Sequence, residues 1–305
     1  MALEADQAVD RRRLKRRLSF WRAAAVIAVA ALAIVVVARQ RGALTSFVEK
    51  PHIERLAVTG VISEDPARSA ALKKVLKDSR VKALIVDINS PGGTVVGSEE
   101  LFRELRAIAA KKPVVAVMGT LAASGGYMTA LGADHIIARE GTITGSIGVI
   151  MQSADVTGLL KKLGIEPEAI KSAPLKAVPS PFEPLTPEGR AVTQAVVMDM
   201  YDMFVGMVAD RRGLDPAEAK KLADGRIYTG RQAVAVKLID EIGGEDEARS
   251  WLETARGVPD SLPVSDVQIE RDNGDMLGLI GGRIGKALFS ERLTLDGLMA
   301  LWHPE

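Results

Sequence analysis

Apolar side chains along this chain keep two rhythms. Residues 53–62 are an apolar run broken at Gly60 and read as a strand. Asp65 and Pro66 then open a helix, an acceptor side chain followed by a proline in the first turn. Ala70, Leu72, Val75 and Leu76 give that helix its apolar stripe. Residues 81–88 are a second strand, ending in Asn89-Ser-Pro-Gly-Gly93. Helical period returns over 97–110, with Leu101, Leu105 and Ile108 on one face. Residues 114–118 read as a third strand. A tight turn around Ser124 and a short small-residue helix over 127–132 follow. Further strands are expected over 133–138 and 142–151. Strands alternating with helical stretches imply crossover units and a largely parallel sheet, hence an α/β fold. Ligands in such sheets gather at the carboxyl ends of strands. Asn89-Ser-Pro-Gly-Gly93 and Ser124 both lie at such ends, after consecutive strands.

The second half is more helical. Thr186 and Pro187 cap a helix expected to run to about residue 212. Its stripe of Val192, Val196, Val197, Met200, Phe204 and Met207 suits a core or a subunit interface better than a cofactor site. A helix over 216–222, a Gly225–Gly230 turn and a helix over 230–238 come next, ending at Ile242-Gly-Gly244. Residues 263–269 form a last strand-like run. The rest of the tail is Gly-rich and assigns to no element.

The amino terminus follows a different pattern. A basic block, residues 11–17, precedes an uninterrupted apolar run over 23–38. As a helix that run spans about 24 Å, a little short of a bilayer core. Phe20 and Trp21 extend it at the interface, and Arg22 and Arg39 can reach outward. Basic residues on the amino side predict a cytoplasmic terminus, with everything after residue 40 outside the inner membrane. No good cleavage site follows the run, so an uncleaved signal anchor is expected rather than a signal peptide. The expected organisation is a basic cytoplasmic tail (1–22), a transmembrane anchor (23–38), a juxtamembrane linker (39–52), a catalytic domain (53–257) and a carboxyl-terminal extension (258–305).

Composition removes several classes of function. The chain has no cysteine, which excludes disulfides, a thiolate nucleophile and Cys-ligated metal. A net charge of +1 and 4% aromatic residues argue against a nucleic-acid partner. No Walker-type glycine loop or His-Glu-x-x-His is present, and no metal or cofactor is expected.

Chemistry centres on Ser124. It sits where a strand gives way to a helix, a junction that can expose a nucleophile. The plainer alternative is that it caps that helix. A serine nucleophile needs a base, and the three histidines are poorly placed. His52 is in the linker, His303 is near the carboxyl terminus, and His135 falls in a strand. Lysine is the other option, provided burial removes its proton. Lys176 has the apolar flanks Leu175, Ala177 and Val178 and no adjacent carboxylate; Lys171 is its local rival. Consecutive glycines such as Gly92 and Gly93 can donate N–H groups to an oxyanion, although Pro-Gly-Gly alone is only a turn signal.

Five motifs occur in order: Asn89-Ser-Pro-Gly-Gly93, Ala122-Ala-Ser-Gly-Gly-Tyr127, Thr144-Gly-Ser-Ile-Gly-Val149, the segment from Ile170 through Lys176 to Pro181, and Asp224-Gly-Arg-Ile-Tyr-Thr-Gly230. Together they resemble the bacterial signal peptide peptidase A (SppA) family in its short, membrane-anchored form, over roughly residues 53–257. The resemblance implies a Clp-protease/crotonase-like fold behind one transmembrane helix, and a serine peptidase with a Ser/Lys dyad. It implies Ser124 as nucleophile, Lys176 as general base, Gly92 and Gly93 in the oxyanion region, and Ser146 beside the lysine amine. It also implies a ring or dome of identical subunits that share the dyad, and remnant signal peptides as substrates. Two positions depart from the family pattern. Ala177 stands where Asp usually follows the base, and Ala173 where Gly is common. Competing expectations are an envelope quality-control protease, a crotonase-like hydratase and a non-catalytic membrane scaffold.

Overall fold

The computed structural model describes residues 21, 22, 24–30, 32, 50–271 and 298–301. The chain divides into two units, Met1–Lys50 and Pro51–Glu305. In the first, the described residues between 21 and 32 are helical (α1), and Trp21, Val26, Ile27, Val29 and Leu32 are exposed. The rest of the expected anchor over 23–38 lies outside the described residues.

The second unit starts with β1 (His52–Ile62), α2 (Pro66–Lys77), β2 (Val81–Thr94), α3 (Val95–Ala109), β3 (Val114–Ala123), α4 (Gly125–Ala130) and β4 (His135–Ala138). The helix starts obey the local chemistry. Asp65 accepts from the N–H groups of Ala67 and Arg68, both at 3.1 Å, and Pro66 follows it in the first turn. Thr94 caps α3 through the Gly97 N–H at 3.0 Å.

The expected strand over 142–151 breaks in two, β5 (Ile143–Gly145) and β6 (Ile150–Met151). The break falls where β5 ends at Gly145 (φ 81°) and the next residue, Ser146 (φ 50°), is also left-handed, so two successive residues turn the chain out of the extended conformation. Then come α5 (Thr157–Lys162), α6 (Pro187–Arg212), α7 (Pro216–Leu222), β7 (Ile227–Thr229), α8 (Gly230–Ala235), β8 (Glu241–Ile242), α9 (Glu245–Arg256), β9 (Val264–Asp266) and β10 (Leu298–Leu301).

Among the described residues, ten strands form one sheet. β1, β2, β3 and β4 run parallel in that order, β8 adds to β4 and β9 to β1. β3 is long enough to serve two neighbours on one edge, β4 along Val115–Met118 and then β5 along Leu121–Ala123. Period-two alternation sorts side chains to two faces. Leu84, Val86, Ile88, Val114, Ala116 and Met118 pack on one face with helix residues such as Leu72, Leu101, Leu105, Phe204 and Val208. Ala83, Ile85, Val115, Val117 and Ile137 pack on the other with Ala248 and Leu252 of α9.

α6 has 26 residues, about 39 Å of helix. Its second half buries Phe204, Val205, Val208 and Ala209, while Val192, Val196 and Met198 of its first half are exposed. Among the described residues, α6 is the helix long and apolar enough to cross a membrane.

Candidate active site

β3 carries the chain to Ser124. β2 lies on one edge of β3, with Ser90 opposite Ala122, and β5 on the other, with Gly145 opposite Ala123. Ser124 then turns with φ 54° and ψ −119°. A non-glycine residue there stores on the order of 1–3 kcal/mol of backbone strain, so its surroundings must hold it. They do so from both sides. The Ser124 N–H donates to Gly145 O at 2.8 Å, and Ser124 O accepts the Met128 N–H at 2.9 Å. All of α4 is buried. The Tyr127 hydroxyl anchors it by donating to Leu238 O at 2.7 Å, and burial pushes that phenol's pKa up. Gly126 is where the elbow packs closest: a Cβ there would stand 2.7 Å from Ser90 O. Ser124 is 1% exposed. Although it occupies the N-cap position, its hydroxyl makes no capping hydrogen bond. The plain capping role is therefore not what its side chain performs.

Gly92 and Gly93 lie in the last turn of β2, level with Val61 and Ile62 of β1. Gly92 has φ 107°, which glycine alone adopts at low cost. Its N–H donates to Ser90 Oγ at 3.1 Å, and Ser90 Oγ itself donates to Gly60 O at 2.6 Å. A Cβ on Gly93 would fall 1.7 Å from Ile62 O. Gly125, the first residue of α4, offers a backbone N–H with no intrahelical acceptor. Sequence reasoning passed over it. The available signal was its place directly after a serine at a strand-to-helix junction.

Ser146 follows Gly145, the residue that receives the Ser124 N–H. Its own N–H donates to Arg226 O at 2.8 Å, so the Asp224–Gly230 motif holds this turn from behind. Gly145 has no room for a side chain, since a Cβ would meet the Tyr228 ring at 2.6 Å. Two of the five motifs thus pack against each other beneath the serine.

Lys176 lies in the long connection between α5 and α6, and it is exposed. Among the described residues no hydrogen bond joins it to Ser124. Ala177 beside it sits at φ 61°, where alanine is strained and Asp or Asn is better tolerated. Lys171, the rival, is ion-paired with Glu183. The histidines stay away from the elbow. His52 begins β1, and His303 lies outside the described residues. His135 is level with Val115, nine residues before Ser124 and so about 30 Å back along β3. There it stacks on Trp251 at 4.7 Å and meets Glu241 Oε2 at 3.2 Å.

A groove of about 440 Å³ opens beside β6, between Val149, Ile150 and Met151 on one side and Leu185, Arg190, Thr193 and Val197 on the other. Pro179, three residues beyond Lys176, also lines it. Among the described residues no group of three or more His, Asp or Glu side chains could hold a metal ion.

This arrangement, a strained serine on a buried elbow beside glycine backbone, is the kind that hydrolases use to present a nucleophile. The signature of Peptidase family S49 matches residues 106–259, and the chain belongs to that family. It is 42% identical over 222 residues to slr0021 of Synechocystis sp., named as a candidate protease, covering 72% of this chain and 80% of that one. It is 38% identical to a candidate signal peptide peptidase SppA of Enterococcus faecium, over 70% of this chain and 66% of that one. It is 31% identical to the chloroplastic serine protease SPPA of Arabidopsis thaliana, over 75% of this chain and 34% of that longer protein. The SppA resemblance read from the five motifs therefore holds. A ClpP1 mutant from Listeria monocytogenes aligns at a TM-score of 0.41 and 18% identity, too loose a likeness to argue from.

Proposed function

We propose that this protein is a membrane-anchored serine endopeptidase in which Ser124 attacks the peptide bond and Lys176 of a neighbouring subunit is the general base. The carrying observation is the conformation of Ser124. A buried non-glycine residue at φ 54° and ψ −119°, whose hydroxyl does not cap its helix, has no evident structural use. Strain of this kind is kept where it positions a reacting group.

Neutral Lys176 takes the Ser124 proton as the hydroxyl attacks the carbonyl carbon. Backbone N–H groups of the Gly92–Gly93 turn and of Gly125 stabilise the oxyanion; for Gly92 this needs its bond to Ser90 Oγ to give way. The lysine passes the proton to the leaving amine and then activates water to release the acyl group. Ser146, next to Gly145, orients the amine. A lysine works as a base at neutral pH only where it is desolvated, and Lys176 is exposed in the single chain. Another subunit has to cover it. The apolar surface of the arm that carries it, residues 156–198, supports such a contact: Leu159, Leu163, Ile165, Ile170, Phe182 and Val196 are all exposed, Ile170 at 98%. We read the fold as Clp-protease/crotonase-like and the assembly as a ring or dome.

The exposed apolar helix α1 supports an anchor that holds the catalytic unit beside a membrane, with the basic tail inside and the catalytic unit outside. Remnant signal peptides, apolar and extended, are then the proposed substrates; the groove offers Val149, Ile150, Leu185 and Val197 to their side chains beside the polar Ser153, Arg190, Thr193 and Gln194. Complementation is the test. Ser124→Ala and Lys176→Ala chains are each assayed alone on an apolar fluorogenic peptide, then after dissociation and co-assembly. Recovery of activity only in the mixed oligomer is the expected result. Two silent parents and a silent mixture of normal size refute the shared dyad.

A further inference from the structure

The parallel strands give the second unit two unlike ends. Their carboxyl ends carry the glycine turn and the serine elbow. Their amino ends gather basic side chains. The chain enters β1 through Lys50 and Pro51, where the first unit gives way to the second. α2 returns to this end and turns through Asp78, Ser79 and Arg80 into β2, and α3 returns and turns through Lys111 and Lys112 into β3. Backbone bonds tie these entries together: the His52 N–H donates to Arg80 O at 3.1 Å and the Leu84 N–H to Pro113 O at 3.0 Å. The Lys112 amine reaches across, donating to Val75 O and Asp78 O. Burial lowers its pKa, and the nearby charges of Lys82 and Lys111 lower it further against the pull of Asp78 and Glu54. Lys77, Lys82 and Lys111 are exposed, and among the described residues no ion pair neutralises them. The carboxylates of this end are engaged or withdrawn: Asp78 pairs with Arg80 at 2.6 Å, and Glu54 Oε2 is sealed from water.

We infer that this end of the sheet, through Lys77, Lys82 and Lys111, docks on the anionic headgroups of the membrane that holds the anchor. It rests on the membrane reading above and not on the peptidase chemistry. Two observations choose the partner. The charges left over here are positive, and a lysine amine is a compact point charge that a phosphate surface satisfies without a fitted pocket. The chain also arrives at this end directly from the unit that carries the exposed apolar helix α1, with only residues 39–49 between the expected anchor and Lys50. So short a tether keeps the lysines at high effective concentration over the bilayer. Each lysine at an anionic surface is worth about fivefold in binding, so the three together should shift docking about 100-fold. Docking has a consequence for substrates. β3, Val114–Ala123, spans about 33 Å from this end to the elbow. Ser124 then stands about 30 Å from the headgroups, and a peptide rooted in the bilayer needs roughly ten extended residues outside it to arrive there.

The chain has no cysteine, so a single introduced thiol reports position. Ser79→Cys, in the turn among the lysines, and Thr59→Cys, toward the carboxyl end of β1, are each labelled with a fluorescent donor in the full chain. The chain is placed in nanodiscs of phosphatidylcholine alone or in equal parts with phosphatidylglycerol, with acceptors on the headgroups. Energy transfer from position 79 should exceed that from position 59, and should rise when phosphatidylglycerol is present. Replacing Lys77, Lys82 and Lys111 together by Gln should abolish that rise, the docked-to-free ratio falling about 100-fold. Equal transfer from the two positions, indifference to phosphatidylglycerol, or no effect of the triple substitution overturns the inference. A smaller oligomer for the triple variant in detergent also overturns it, and makes this end a contact between subunits. If the chain stays out of phosphatidylcholine discs yet floats with phosphatidylglycerol liposomes through these lysines, the basic surface stands and the anchor reading fails.

Discussion

The two proposed halves of the dyad sit in regions built on opposite terms. Ser124 belongs to the sheet core, where both edges of β3 are paired and α4 is wholly buried. Lys176 belongs to an arm, residues 156–198, whose apolar side chains largely face outward. The core is complete within one chain and can hold a strained residue at a cost of a few kcal/mol. The arm is not complete. Exposed Leu, Ile, Phe and Val in such number call for a partner surface. On the proposed reading the difference ties activity to assembly: Ser124 is preset within one chain, and Lys176 becomes a base only when a neighbouring copy covers it.

The sharpest break of this comparison is at the arm's lysine. Lys176→Ala should lower kcat/KM by about 10³-fold or more, with oligomer size unchanged by light scattering. Lys171→Ala, which removes only the ion pair with Glu183, should stay within about threefold. The reverse pattern would move the base to Lys171. Gly93→Ala attacks the core instead. Its Cβ would stand 1.7 Å from Ile62 O and force β1 from β2, so a loss of about 3 kcal/mol or more is expected in urea unfolding.

Asp240→Asn loosens the far side of the core, with an expected cost of about 2 kcal/mol. Burial works to raise the pKa of Asp240, but the paired Arg212 at 2.7 and 3.1 Å, the Ile136 N–H and His135 together hold it below the ordinary carboxylate range. A depressed carboxylate stabilises fully above its unfolded pKa of about 3.9, and that contribution is lost as pH falls through the folded value. The Tm gap between parent and variant should thus be constant above about pH 5 and close below about pH 4. The smallest effect expected is at Ala177→Asp. It should stabilise the loop by about 0.5–1 kcal/mol, because Asp tolerates φ 61° better than Ala, with kcat/KM changed less than about threefold.

Elements that announce themselves by period and punctuation were legible in the chain. α2 starts at Asp65-Pro66 and α6 at Thr186-Pro187, as their caps require. The apolar runs of β1, β2 and β3 and their parallel order followed from alternation with helices. β7, β8 and β10 were not legible, since a strand of two to four residues carries too little pattern to rise above a loop. α9 was missed although it is amphipathic, because its charged first turn, Glu245, Asp246 and Glu247, hides a narrow stripe of Ala248 and Leu252. At the site, the serine elbow was readable from small residues between a strand and a helix. The engagement of Gly92 by Ser90 was not, because a contact across two residues depends on the side-chain rotamer and backbone turn that the fold imposes, and the Gly125 N–H was passed over although its place directly after the serine signalled it.

By itself, the order of residues determined the family, the identity of Ser124 and Lys176 as candidates, and the α/β alternation. Each of these is written in local composition, where caps, turns and periodicity act over a few residues. Only the tertiary structure decided that β3 leaves an open edge beside the serine, that β10 fills it from some two hundred residues away, and that Lys176 stays in solvent within one chain. Edges and burial are properties of what lies next to a segment in space, and no stretch of sequence carries its neighbours with it.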